Sequence, residues 1–226
     1  MRPLAVLVLF AAPVLAQSVS VGAIVGASLR PTFASTDAPQ PVVCPAACYV
    51  HYSNPATKPL TFGAAFEVRL IRRLSVQAEG FYHRVGYSSV FELGSPSSGL
   101  TFAFSKTTAT RWEVPFFLKY RVGRRPFVLA GAAVDGIAGV HTEADIGGRD
   151  FFGHVSVQHT HYDEPGQMTQ GPRLGALAGA GVELRAGPLR LAPQLRFTRW
   201  IATRFSAEPG IRSNQSDVAA LLTLMF

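Results

Sequence analysis

The sequence is short of charge, of cysteine and, beyond its first sixteen positions, of long apolar runs. Only 15% of its 226 residues are Asp, Glu, Lys or Arg, whereas 48% are hydrophobic. Intrinsic disorder needs low hydrophobicity and high charge density, so it is excluded. Helical membrane spans need about 18 or more consecutive apolar residues, and no such run follows residue 16. Ordinary soluble domains contain about a quarter charged residues, so contact with lipid is one explanation of the shortage.

The amino terminus has the pattern of a secretory signal peptide. Residues 1–16 contain one basic side chain near the start, an apolar stretch from Leu4 to Leu15 and a small side chain at Ala16. This arrangement predicts cleavage after Ala16 and a mature domain over residues 17–226. A membrane anchor is the alternative, but the apolar stretch is shorter than a helical span needs.

The two cysteines, Cys44 and Cys48, are close together in the sequence. Export would place them in an oxidising compartment, where a local disulfide is the default expectation. Its small loop would shape a loop tip rather than hold the fold together. A metal pair or a redox site is the alternative, but no further cysteine supports the first and the spacing is not Cys-x-x-Cys.

Apolar residues alternate with other residues at a period of two throughout the mature chain. The odd-numbered positions from Val19 to Leu29, for example, are all Val, Ala or Leu. Such alternation is typical of strands, and this one is long enough to span a membrane. Asp135 indicates that odd-numbered positions avoid lipid in the fifth strand, which is apolar on both faces. The eight predicted strands cover residues 18–30, 60–70, 74–79, 111–122, 126–139, 173–185, 189–198 and 217–226.

The connections between these strands alternate between short and long. Short turns on one side and long loops on the other are typical of an outer-membrane barrel, whose turns face the periplasm. We therefore predict an all-β fold: an eight-stranded antiparallel up-and-down transmembrane β-barrel with short periplasmic turns and four long outer loops. The tight turns are residues 71–73, 123–125 and 186–188, and the long loops are residues 31–59, 88–110, 140–170 and 202–215.

A soluble barrel such as a lipocalin alternates too, so the composition of the less apolar face has to distinguish the two. That face carries many glycines and a minority of charges, whereas a solvated exterior would carry Lys, Glu and Thr. Glycines relieve crowding inside a barrel of eight strands. Trp112 and Phe62 lie near the predicted outer end of the other face, and Tyr120 and Phe226 near its inner end, as interfacial aromatic girdles require.

The central segments resemble a known family. The run Trp-Glu-Val-Pro-Phe-Phe-Leu-Lys-Tyr-Arg at 112–121, followed by Arg-Pro-Phe-Val-Leu-Ala-Gly at 125–131, is similar to the central signature of the PorT-like outer-membrane β-barrel family. Residues 74–79 resemble its third strand and residues 175–183 its glycine-rich sixth. The final Phe226 matches the signal that such barrels present to the insertion machinery. The resemblance implies a fold, an outer-membrane location and that partner, but no activity.

Many charged residues fall on the face that the alternation assigns to the lumen. With His83 they could be interpreted as acid/base machinery. We favour a network of ion pairs, because an unpaired buried charge is costly, and a network of this kind predicts little or no conductance. Its predicted members are Glu67, Arg69, Glu79, Glu113, Lys119, Arg121, Glu183, Arg185 and Arg196.

The third long loop is rich in histidine. His159, His161 and Asp163 lie in one extended segment, where imidazole and carboxylate could hold a divalent metal. Because the sequence shows no fixed scaffold or matching ligand, we favour a solvated polar loop. The prediction is therefore no metal and no other cofactor.

The net charge of +7 has two possible partners. Arginines near the outer loops could contact lipopolysaccharide phosphates. Nucleic acid is not expected, because the sequence has no basic helix and no basic patch interleaved with aromatic residues. The outer arginines are Arg30, Arg199, Arg204 and Arg212.

The pattern as a whole predicts a non-enzymatic, monomeric outer-membrane protein with a structural or surface-binding role through its long loops. One alternative is an enzyme that modifies lipid A or phospholipid, for which His83 with Ser88 or Ser89 would be the candidate pair. Others are a subunit of an envelope secretion or attachment machine, and a passive pore.

Overall fold

The computed structural model contains thirteen strands and describes residues 19–30, 32–34, 48–55, 60–95, 99–150, 152–163, 171–203 and 212–226. The predicted signal peptide and Cys44 lie outside these residues. No helix within the described ranges is long and apolar enough to cross a membrane. The strands are β1 (Val19–Ser28), β2 (Phe33–Ala34), β3 (Cys48–Pro55), β4 (Leu60–Arg69), β5 (Leu74–Ser95), β6 (Gly99–Arg121), β7 (Pro126–Arg149), β8 (Val155–Tyr162), β9 (Arg173–Val182), β10 (Leu184–Ala186), β11 (Leu189–Trp200), β12 (Arg212–Ser213) and β13 (Ser216–Met225).

Eight of these strands form a closed ring. In the order β1, β4, β5, β6, β7, β9, β11 and β13, each strand pairs antiparallel with the next. The ring closes where β13 pairs with β1, from Gly22 opposite Met225 to Ser28 opposite Ala219. Closure satisfies the backbone groups that an open sheet would leave at its edges. The predicted eight-stranded up-and-down barrel is confirmed.

Most exposed side chains along the ring strands are apolar, and most of the charged ones are buried. Along β11, exposed and buried residues alternate strictly: Leu195 and Phe197 are 57% and 45% exposed, whereas Arg196 is 4% exposed. The lumen also holds an apolar cluster, and an eight-stranded barrel is just narrow enough for side chains to fill it. The cluster consists of Phe117, Phe127, Leu129, Ala133, Leu177, Ala192 and Trp200.

Three ring strands continue well beyond the ring, and two further strands pair with their extensions. β5, β6 and β7 are 22, 23 and 24 residues long, about twice the 9–11 residues that a membrane strand needs. β3 pairs with the far half of β5, and β8 with the far half of β7. We call β3, β8 and the far halves of β5, β6 and β7 the outer sheet.

The outer sheet corrects the predicted loops. Residues 88–95 and 99–110 belong to β5 and β6, which pair antiparallel, and residues 140–170 contain the end of β7 and all of β8. The loop at 31–59 contains β2 and β3, and the loop at 202–215 contains β12, which pairs with β2. The predicted loops were too long because these segments are rich in Ser, Thr and charged residues, yet their backbone groups still pair across the ladder.

A bulge in β7 separates the barrel from the outer sheet. The register between β6 and β7 shifts between Thr108 and Thr110, opposite Gly139, whose φ is +58°. Below the bulge odd-numbered positions of β7 face the lumen, as Asp135 indicates, and above it buried positions such as Thr142 are even-numbered. An extra residue in one strand reverses the faces of all residues beyond it.

Replacing Gly139 with Ala should lower the free energy of unfolding by about 1–2 kcal/mol, because a residue with a Cβ is strained at this positive φ. Equilibrium urea unfolding of the detergent-folded protein measures the change. Gly80→Ala is the matched control: Gly80 lies in β5 without a positive φ, and a Cβ there would meet no atom within 4 Å. Equal losses in the two variants would contradict the role assigned to the bulge.

Candidate functional site

A cluster of ion pairs fills the lumen near the short turns. Glu67 accepts hydrogen bonds from Arg121 at 2.7 Å and from Lys119 at 3.2 Å. Arg121 also donates to Glu183 at 3.1 Å, and Arg190 lies 3.4 Å from Glu67 and 3.7 Å from Glu183. All five side chains are buried. Each buried charge has an opposite charge within reach, which offsets part of its desolvation cost.

Two further arginines of the predicted network have different surroundings. Arg185 donates to Glu183 at 3.0 Å, but its own side chain is 56% exposed at the barrel rim. The Nε of Arg69 is buried and has no hydrogen-bond partner among the described residues. Arg69 is therefore not paired through this atom.

The middle of the lumen holds a separate pair. Arg196 donates to Glu79 at 2.6 Å, and Gln77 donates to the other oxygen of the same carboxylate, also at 2.6 Å. The guanidinium of Arg196 lies 4.7 Å from the ring centroid of Phe81, within range of a cation–π interaction. Both charges of this pair are thus satisfied within the barrel.

A third cluster is centred on Arg111, at the end of the lumen nearest the outer sheet. Arg111 donates to Asp135 at 2.8 Å, to Glu113 at 3.0 Å and to Asp217 at 3.2 Å. Asp135 also accepts two hydrogen bonds from Arg173, at 2.8 and 3.0 Å. This fork geometry is the strongest arrangement of a guanidinium and a carboxylate.

Trp200 lies between the two arginines of this cluster. Its ring is 1% exposed, with the guanidinium of Arg173 at 4.5 Å and that of Arg111 at 5.2 Å from its centroid. Of this cluster only Glu113 was among the predicted network residues. Strand alternation could also have predicted its two arginines, because it places Arg111 and Arg173 on the inward face of their strands.

These clusters leave little space inside the barrel. A cavity of about 20 Å³ remains among residues that include His83, Glu113, Arg196 and Asp217. Such a volume holds about one water molecule. Side chains therefore fill the part of the lumen that surrounds this cavity.

The candidate hydrolase pair of His83 and Ser88 does not assemble. His83 is 9% exposed, and its Nδ1 lies 3.2 Å from Oγ1 of Thr61 inside the barrel. Ser88 is exposed on the opposite face of the same strand. Odd and even positions of a strand face opposite ways, so these two side chains cannot meet. The side chain of Ser89 lies outside the described part of the chain.

The outer sheet presents a ladder of histidine and carboxylate side chains on one face of β7 and β8. In the register of the two strands, Glu143 faces His161 and Asp145 faces His159. His141 and Asp163 extend the same ladder by one step, with His141 Nδ1 at 3.0 Å from Asp163 Oδ1. We call these residues the histidine ladder: His141, Glu143, Asp145, His159, His161 and Asp163.

The structure changes the set of candidate metal ligands. His161 and Asp163 are brought together as proposed, but the third residue is His141, and the three ligand atoms lie within 4.8 Å of one another. His159 is instead hydrogen-bonded to Asp145. Sequence analysis missed His141 because the hairpin register, rather than proximity in the sequence, brings it to Asp163.

A further pair closes the tip of the β7–β8 hairpin. Asp150 accepts hydrogen bonds from the backbone N–H groups of Phe152 and His154, at 2.9 and 2.8 Å. The ring of His154 lies 3.0 Å from the same carboxylate. The side-chain contact with His154, together with the backbone donors, lowers the pKa of Asp150 below its ordinary value.

The remaining candidate residues lie at the outer rim or outside the described residues. Arg199 donates to Ser216 at 2.7 Å and to Gln215 at 3.0 Å, and Arg30 is exposed. Arg204 is outside the described residues, as are the side chains of Arg212 and Cys48. The predicted disulfide therefore stays a prediction.

No family model matches the sequence, and no curated protein matches it. Among solved structures, the chain is similar to two of Ail, the attachment invasion locus protein of Yersinia pestis, one of them in complex with the heparin analogue sucrose octasulfate. Their identities are 10% and 11%, both TM-scores are 0.35, and 93% of this chain and 97% of Ail are covered. Neisserial surface protein A is similar at 12% identity and a TM-score of 0.33, covering 93% of this chain and 99% of that protein. Scores this low carry no argument, so the barrel rests on its own strand pairing, and the PorT-like resemblance stays a prediction.

Proposed function

We propose that this chain is a non-enzymatic outer-membrane barrel that presents its outer sheet to the cell exterior as a binding surface. The observation that carries the proposal is the inverted distribution of side chains. A soluble barrel faces its charges to water, whereas here the apolar side chains are exposed on the ring and the charges are buried within it.

Exposed aromatic residues support this orientation of the barrel, with the outer sheet towards the cell exterior. Tyr120 is exposed near the turn end of β6, and Trp112 is exposed eight residues further along the same strand. At about 3.3 Å per residue this separation is about 26 Å along the strand, and a strand tilt of about 40° reduces it to about 20 Å along the barrel axis, most of the roughly 25 Å height of the apolar band of an outer-membrane barrel. The outer sheet lies beyond Trp112 and therefore on the side opposite the short turns.

The exposed outer sheet and the filled lumen favour binding over transport. Because side chains occupy the lumen, we expect no open pore of porin size, which planar-bilayer recordings would test.

The expected partners are outer-membrane lipid, lipopolysaccharide at the rim arginines, and the insertion machinery at Phe226. A profile of lipid A that is the same with and without the protein would support the absence of enzymatic activity.

Cysteine labelling tests the location of the outer sheet. In a background with Cys44 and Cys48 replaced by Ser, Val157→Cys on β8 should react with a membrane-impermeant maleimide on intact cells, since Val157 is 52% exposed. Arg124→Cys, in an exposed short turn, should react only after the outer membrane is permeabilised. Mass spectrometry of the labelled protein gives the readout. Reaction of Arg124→Cys but not of Val157→Cys on intact cells would reverse the proposed orientation, and reaction of neither would place the protein elsewhere.

A further inference from the structure

The histidine ladder contains the elements of a metal site. We infer that His141, His161 and Asp163 bind one divalent cation of the zinc class on the outer sheet. Two imidazoles and one carboxylate are a ligand set that suits Zn²⁺, with a fourth position left for water.

The geometry allows one ion to reach all three side chains. Asp163 Oδ1 lies 3.0 Å from His141 Nδ1 and 4.0 Å from His161 Nε2. Ligand atoms about 2.1 Å from a tetrahedral zinc ion are about 3.4 Å apart, so only small side-chain movements separate these groups from coordination. The two imidazole rings already meet edge to face, with centroids 4.1 Å apart. Because the three ligand atoms lie within 4.8 Å of one another, one ion can reach a nitrogen of each ring.

A fourth residue of the ladder is placed to orient one ligand. Oε1 of Glu143 lies 4.0 Å from Nε2 of His141, the ring nitrogen that is not directed at Asp163. When a metal occupies Nδ1, the ring proton resides on Nε2 and faces this carboxylate. Histidine ligands commonly donate their second N–H to a carboxylate, which fixes the ring and strengthens the ligand.

The surroundings allow a cation to enter. The side chains of His161 and Asp163 are 60% and 78% exposed, and β8 is the edge strand of the outer sheet. The carboxylates of Asp163 and Glu143 carry two negative charges, and among the described residues the strand register places one cation, Lys106, opposite Glu143. A divalent ion is therefore favoured by charge as well as by ligand type.

The neighbouring step of the ladder provides an internal control. His159 and Asp145 form a histidine–carboxylate pair on the same face of the same two strands. Within the described residues they belong to no three-ligand group. If isolated pairs were enough to bind zinc, the two steps would behave alike.

Calorimetric titration of Zn²⁺ into the full-length mature protein tests the site. The protein is extracted in detergent, carries no polyhistidine tag and is treated with chelator before dialysis. We expect one ion per chain in the wild type, at least tenfold weaker binding in His161→Ala and Asp163→Asn, and about tenfold weaker binding in Glu143→Gln. His159→Ala should match the wild type within twofold. Heat-modifiable gel migration checks that each variant is folded.

The outcomes separate the site from unspecific binding. No zinc binding by the wild type, or equal affinity in the wild type, His161→Ala and Asp163→Asn, would overturn the inference. An equal loss in His159→Ala and His161→Ala would place the ion elsewhere on the ladder and overturn the assignment. Excess Mg²⁺ should not displace Zn²⁺, because a hard cation prefers oxygen ligands; full displacement would indicate a mere acidic patch.

Discussion

Replacing Asp135 with Asn should lower the free energy of unfolding by about 3–5 kcal/mol, the cost of breaking a buried ion pair by removing one partner. Asp135 is fully buried and accepts hydrogen bonds from both Arg111 and Arg173. The amide keeps the shape of the side chain but removes its charge, so Arg173 loses its only carboxylate partner in the described part of the chain. Equilibrium unfolding by urea in detergent micelles measures the loss.

Asp145→Asn is the matched control for this prediction. The same substitution there removes a carboxylate that is 49% exposed on the outer sheet, where ion pairs contribute at most about 1 kcal/mol. A loss below about 1 kcal/mol in Asp135→Asn would show that the arginines find other partners or water. The cluster centred on Arg111 would then not contribute to the stability of the barrel.

The barrel was predictable because its two faces meet different surroundings. Alternation from Leu189 to Thr198 is strict, since every outward side chain there is apolar and the inward ones are mostly polar or charged. The same rule could not find residues 99–110, which extend β6 into the outer sheet. Ser, Lys and Thr occupy both faces of the strand over residues 105–110, and such a Thr-rich segment that pairs through its backbone resembles a loop in sequence.

The candidate site was only half predictable for a related reason. His161 and Asp163 are neighbours in the sequence, so their proximity follows from strand geometry alone. His141 joins them through the register of the β7–β8 hairpin, which in turn depends on how far β7 continues past the bulge at Gly139. A one-residue change of register would place His141 on the other face of the ribbon. Composition could identify the ligand types but not the pairing.

Replacing Phe116 with Arg should lower the free energy of unfolding in lipid vesicles by about 2–4 kcal/mol, the cost of a basic side chain on the lipid face near the bilayer midplane. Phe116 lies midway between Tyr120 and Trp112 on β6, and it is 57% exposed. On a soluble protein the same change at an exposed position would alter stability by about 0.5 kcal/mol or less. Unfolding by guanidinium chloride, followed by tryptophan fluorescence, measures the difference.

Phe104→Arg separates the lipid-facing band from the outer sheet within a single strand. Phe104 is the same residue type, on the same face of β6 and 47% exposed, but it lies twelve residues beyond Phe116 and eight beyond Trp112. Because water surrounds it if the membrane boundary lies at Trp112, its replacement should cost less than about 1 kcal/mol. Equal costs at the two positions would place that boundary elsewhere. A negligible cost at both would mean that the exposed apolar face of the ring does not contact lipid, and the proposed outer-membrane location would fail with it.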